Sequence, residues 1–126
     1  MADSVIRLSV PAEPSYARSV RMMAANLAVL CSMSVDEVED ARMAAEEAFV
    51  YACATRPASC DMTFCITGDS LDMAFSLGDV VPTEDETLAE QVGLAELLLS
   101  AVSDSYEVVD GSELRVTKLV GVVHDA

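Results

Sequence analysis

Residues 34–77 read SVDEVEDARMAAEEAFVYACATRPASCDMTFCITGDSLDMAFSL, and the fold turns on a change of period inside this stretch. Val38, Ala41, Ala45, Ala48, Phe49 and Ala52 recur at three- and four-residue steps, which places them on one face of a helix. Ser34-Val35-Asp36-Glu37 reads as a capping box, in which the Ser hydroxyl and the Glu carboxylate satisfy free N–H groups reciprocally. The helix is predicted to run to Thr55, ahead of Arg56-Pro57, and its small side chains imply close approach to whatever it covers. Beyond the proline the period becomes two. Met62, Phe64 and Ile66 alternate with polar or small residues, Gly68-Asp69 turns the chain, and Leu71, Met73, Phe75 and Leu77 alternate again. That pattern predicts a hairpin with one apolar face.

On the N-terminal side, residues 5–10 alternate loosely and stop at Pro11 and Pro14, as a first strand would. Tyr16, Val20, Met23, Leu27 and Leu30 then predict an amphipathic helix over residues 15–31. On the C-terminal side, Thr83-Glu84-Asp85-Glu86 after Pro82 reads as a second capping box. Leu88, Val92, Leu94, Leu97, Leu98 and Val102 continue it as a helix to about residue 103. Residues 106–109 and 113–120 flank Asp110-Gly111, a strong type I′ hairpin signal. From residue 120 the chain reads as a tail, and it holds the single histidine, His124. The order β-α-α-β-β-α-β-β predicts one α/β (α+β) domain over residues 1–120, with a tail at 121–126. Its architecture is a two-layer sandwich: a mixed, mostly antiparallel sheet of about five strands with three helices on one face.

Composition narrows the function. Twenty-two acidic residues against seven basic ones give a net charge of -15, and no basic patch exists to neutralise phosphates, so direct nucleic-acid binding is excluded. A hydrophobic content of 52% argues against disorder. Cys31, Cys53, Cys60 and Cys65 form no C-x-x-C pair and have no neighbouring His, so they are expected to be reduced thiols of a cytoplasmic protein rather than metal ligands. No signal peptide or membrane span is expected, since apolar runs are short and Asp3 and Arg7 interrupt the start. The seven Met residues read as core filler, while an exposed Met22/Met23 patch would mark a dimer contact.

Glu39-Asp40-Ala41-Arg42-Met43-Ala44-Ala45-Glu46-Glu47-Ala48 resembles the N-box helix of the RsbW/SpoIIAB-type anti-sigma-factor serine kinases, members of the ATPase superfamily that includes gyrase, MutL and histidine kinases. Arg7-Leu8-Ser9-Val10-Pro11-Ala12-Glu13-Pro14-Ser15-Tyr16 resembles that family's first strand and helix. Gly93-Leu94-Ala95-Glu96 and the closing Gly111 to Thr117-Lys118 resemble its second glycine box and final hairpin. The resemblance implies the histidine-kinase-like ATPase fold. It assigns Glu47 to the base for phosphoryl transfer. Tyr51 then stands at the Asn that holds Mg²⁺, a poor substitute because a hard cation prefers compact oxygen donors. Thr55 stands where the family usually has His.

Leu77-Gly78-Asp79-Val80-Val81 falls on the first glycine box. There Leu77 offers adenine no acceptor, and only Gly78 remains of the glycines. In the second box Gly93 persists, while Ala95 and Glu96 replace glycine and an aliphatic residue. Asp79, Glu84, Asp85, Glu86, Glu90 and Glu96 crowd the segment that would cover a triphosphate, with no Lys or Arg between Asp79 and Glu96. The implied function is an anti-sigma-factor-like regulator that binds another protein, a sigma factor or a STAS-type antagonist, as a homodimer and with no cofactor. Two alternatives stand beside it. One is an active Mg-ATP-dependent serine kinase with Glu47 as base and Glu46 or Asp79 on the metal. The other is a structural subunit whose pocket is filled by Phe49, Tyr51 and Leu77.

Overall fold

The structure, a computed structural model, describes residues 3–121. Strand β1 (Ser4–Pro11) leads through a 3-10 turn at Pro14–Tyr16 into helix α1 (Ala17–Leu30). Helix α2 (Val35–Ala54) follows after four residues, so α1 and α2 form an antiparallel helical hairpin. The hairpin carries the chain out and back. Strand β2 (Ser59–Ile66) therefore starts where β1 stopped and pairs with it antiparallel, Val10 opposite Cys60. Strand β3 (Ser70–Ser76) closes the central hairpin, and the single helix α3 (Glu86–Val102) then brings strand β4 (Ser105–Val109) into the same direction as β3. Strand β5 (Glu113–Leu119) fits between these two and runs against both, giving the order β1-β2-β3-β5-β4. Every pairing is antiparallel, where the sequence predicted a mixed sheet, because β5 separates the two strands that would have paired in parallel.

The core lies between the helices and one sheet face. Met62, Phe64, Leu71, Met73, Phe75, Leu114 and Val116 rise from the strands, with Phe64 and Phe75 meeting edge to face at 6.4 Å. Ala41, Ala44, Ala45, Ala48 and Ala52 of α2 cover them with Phe49, all fully buried. Short side chains let the helix sit close to the sheet, as the spacing predicted. The capping box forms: the Glu37 N–H donates to Ser34 Oγ at 3.2 Å and the Ser34 N–H to Glu37 Oε1 at 2.8 Å. Asp110 and Gly111 both have positive φ and the Ser112 N–H donates to the Val109 carbonyl at 3.1 Å, as a type I′ turn requires.

Three expectations are corrected. Helix α1 begins only after the 3-10 turn, which holds Tyr16 at 38% exposure; Leu30, the last residue of the helix, is 65% exposed, and the buried stripe is Val20, Ala24, Leu27 and Ala28. Thr83 belongs to a second 3-10 turn, Pro82–Glu84, so no capping box forms there; Asp85 caps α3, accepting from the Thr87 and Leu88 N–H groups at 2.9 and 3.1 Å. Helix α3 buries Val92, Ala95 and Leu99, leaving Leu94 and Leu97 57% and 66% exposed, because Ala95 is the position small enough for close helix packing.

The C-terminal end is also held further than expected. The Val120 N–H donates to the Asp69 carbonyl at 2.8 Å and the Gly121 N–H to Glu37 Oε2 at 2.7 Å. The remainder of the predicted tail, with His124, lies outside the described residues. Lys118 is buried on the inner side of β5, its Nζ 3.4 Å from Asp40 and 3.8 Å from Asp104, and so ties the sheet to α2 and to the end of α3. Among the described residues no helix is long and apolar enough to cross a membrane.

Candidate functional site

The residues that the resemblance assigns to a nucleotide site are divided in the structure. Tyr51, Leu77, Gly78 and Asp79 come together around a cavity of about 310 Å³, where the chain leaves β3 beside the C-terminal end of α2. Val80, Val81 and Pro82 complete its wall, with Val108 and Gly111 from the last hairpin. That volume is at the lower edge of the ~300–1,000 Å³ usual for small-molecule pockets. Burial, followed by the charge of Glu96 and then Tyr106, pushes the Tyr51 phenol up from its ordinary value.

Gly78 is required here for a reason unrelated to a nucleotide. A Cβ on it would lie 2.2 Å from the Thr55 carbonyl oxygen and 2.5 Å from the Pro57 nitrogen. The segment after β3 is pressed against the end of α2, and only a residue without a side chain fits. Thr55 fastens the contact. Its buried hydroxyl donates to the Ala52 carbonyl at 2.6 Å and accepts the Gly78 N–H at 2.8 Å, while its carbonyl accepts the Val80 N–H at 3.1 Å. Arg56 then takes a left-handed conformation, φ 55°, to turn the chain toward β2. Thr55 was legible only as a departure from the family's His; its clamping role could not be seen without the tertiary fold.

The second glycine box does not reach this cavity. Gly93 is exposed on α3 with nothing within 4 Å of the place a Cβ would occupy, and Ala95 is buried on the opposite, inward side. Helix N-termini are natural acceptors of phosphate. At α3 that position is filled by the Asp85 carboxylate; Asp79, Glu84 and Glu86 are exposed in the segment that leads into the helix, and Glu90 and Glu96 are exposed further along it. Some of the acidity therefore has a structural role.

Glu47 faces elsewhere. It lines a separate groove of about 570 Å³ over the outer side of α2, with Val50, Cys53 and Ala54 on the floor. Ala12 and Pro14 form one wall, Leu88, Gln91 and Leu94 of α3 the other, and Arg56 stands at one end. Burial, reinforced by the adjacent Glu46, raises the Glu47 carboxyl above its ordinary range. Among the described residues no cation or hydrogen-bond donor pairs with it, whereas Glu46 is held by Arg21 at 3.3 Å. Sequence reading missed the groove, although a signal was present. Glu47, Val50 and Ala54 fall at i, i+3 and i+7, a second stripe on the helix that already carries the alanine face.

The remaining candidates act as packing groups. All four cysteines are free thiols, and burial pushes Cys60 up to about 12 and Cys53 up to about 11, values at which neither is a nucleophile. Among the described residues no group of His, Cys, Asp and Glu is arranged to hold a metal ion. Met33, Met62 and Met73 are core residues, whereas Met22 is exposed and Met23 only partly buried. Compared with known proteins, the chain matches no protein-family model and no curated relative.

Proposed function

We propose that this domain is a nucleotide-silent relative of the anti-sigma-factor serine kinases, acting in the cytoplasm by binding another protein. The resemblance names the partner class as a sigma factor or a STAS-type antagonist. The observation that carries the reading is the start of α3, where the Asp85 carboxylate takes the N–H groups that would receive phosphate, in a segment that holds five further carboxylates and no cation. A triphosphate brought there meets repulsion instead of compensation. The same charge favours a cationic protein surface by raising the encounter rate, so association is expected to slow as salt increases. Titration calorimetry with Mg-ATP tests the reading: no heat of binding is expected, and micromolar affinity overturns it.

One observation favours the active-kinase alternative. Glu47 is a half-buried carboxylate of raised pKa beside a groove, as a proton acceptor would be. Labelled ATP incubated with candidate antagonist proteins decides, since phosphoryl transfer that disappears in Glu47→Ala would establish the kinase.

A further inference from the structure

The groove beside Glu47 leaves two opposite charges unanswered, one toward each end. Glu47 pairs with no cation among the described residues, and burial already penalises its charge. Arg56 likewise enters no ion pair among them, although Arg21, Arg42, Arg115 and Lys118 each find a carboxylate in this acidic chain. Between the two charges the lining is apolar except for Gln91. Helix α3 runs antiparallel to α2. Val80, just ahead of α3, bonds to Thr55 at the end of α2, and Asp104, just past α3, shares Lys118 with Asp40 near the start of α2. Leu94 therefore lies toward Glu47 and Leu88 toward Arg56, with Gln91 about one turn from each.

We propose that this groove is a binding site for a short apolar peptide of dipeptide length with free ends, its ammonium on Glu47 and its carboxylate on Arg56. From the Glu47 end, the groove offers a carboxylate, a leucine, an amide, a leucine and a guanidinium. A dipeptide offers the complement in the same order: ammonium, side chain, peptide bond, side chain, carboxylate. The Gln91 amide both donates and accepts, as pairing with a peptide group requires. The length agrees as well. Arg56 stands nine positions after Glu47 on and just past α2, ~13.5 Å at about 1.5 Å per residue. Ionic contacts of ~3 Å at each end leave about 7–8 Å, and two extended residues span ~7 Å. The groove's volume of about 570 Å³ is of the size usual for small ligands. Ligands with one charge leave the other end unanswered, since a fatty acid leaves Glu47 desolvated and an alkylamine leaves Arg56 unpaired. A nucleotide would set its phosphates against the Glu47 carboxylate.

The site does not depend on the protein-binding role proposed above. Titration calorimetry of the whole chain with leucyl-leucine tests it, beside N-acetyl-leucyl-leucine and leucyl-leucine amide, which each lack one charge. Leucyl-leucine is expected to bind with a Kd of about 1 mM or tighter, and each capped peptide about tenfold or more weaker. Glu47→Gln is expected to bind the free and N-acetylated peptides alike while still discriminating against the amide. Arg56→Gln is expected to do the reverse, and both variants to keep the circular dichroism of the wild type. No binding of leucyl-leucine at about 10 mM, tenfold above that limit, overturns the proposal. So do equal affinities of the wild type for free and capped peptides, or discrimination at the ammonium end that survives Glu47→Gln.

Discussion

The two sides of the helical layer follow opposite rules. Toward the sheet, α2 presents Ala41, Ala44, Ala45, Ala48 and Ala52, all at zero exposure, and its end is locked by Thr55 against Gly78. Toward water, the same helix presents Met43, Glu47 and Val50, and α3 presents Leu94, Leu97 and the unobstructed Gly93. Small residues are fixed where two backbones must approach, and larger apolar ones are left where nothing in the chain covers them. The inward side is therefore where stability is concentrated, and the outward side is where substitutions cost least.

Substitutions test this division in descending order of effect. Gly78→Ala is expected to cost about 3 kcal/mol in urea unfolding, since its Cβ meets backbone atoms that cannot move aside. A loss below about 1 kcal/mol would mean that the clamp is compliant. Ala48→Leu should cost about 2 kcal/mol by forcing α2 off the sheet, whereas Val50→Leu on the outer side stays within about 0.5 kcal/mol. Equal effects would erase the distinction between the faces. Thr55→Val leaves the Gly78 N–H without its acceptor and should cost about 1–2 kcal/mol.

The outward changes have the opposite sign. Gly93→Ala is expected to raise stability by about 0.5–1 kcal/mol, because a helix-interior glycine with open space gains from a methyl group. Glu47→Gln gives the smallest gain, about 0.5 kcal/mol or less, since water screens a carboxylate that is far from fully buried. Its pH dependence identifies it. Glu47 has a raised pKa in the folded chain, so its contribution is fully present below the unfolded carboxyl value and is lost as pH rises through the folded one. The Gln variant should therefore show a shallower fall in stability across that window, read from thermal unfolding at stepped pH.

Legibility in the sequence followed the same division. The alanine stripe, the Ser34 cap, the Gly68-Asp69 and Asp110-Gly111 turns and the one-faced central hairpin were readable because each is encoded by neighbours a few residues apart. The outward stripe of α2 is equally local, but the walls that make it a groove come from Ala12, Pro14 and α3, remote in the chain. Legibility ended where distant segments compete. Asp85 rather than Thr83 caps α3 because a 3-10 turn intervenes, and Leu94 and Leu97 are exposed because Ala95 decides which face meets α2.

The sequence by itself determined the order of the elements, the two-layer architecture and the acidity of the segment before α3, since periodicity, turn chemistry and charge are properties of short stretches. Only the tertiary structure decided that Gly78 serves a backbone contact with Thr55. Tertiary packing also separated Glu47 from the cavity of Tyr51 and made every strand pair antiparallel. Each of these depends on how residues remote in the chain share space, and close packing admits few arrangements.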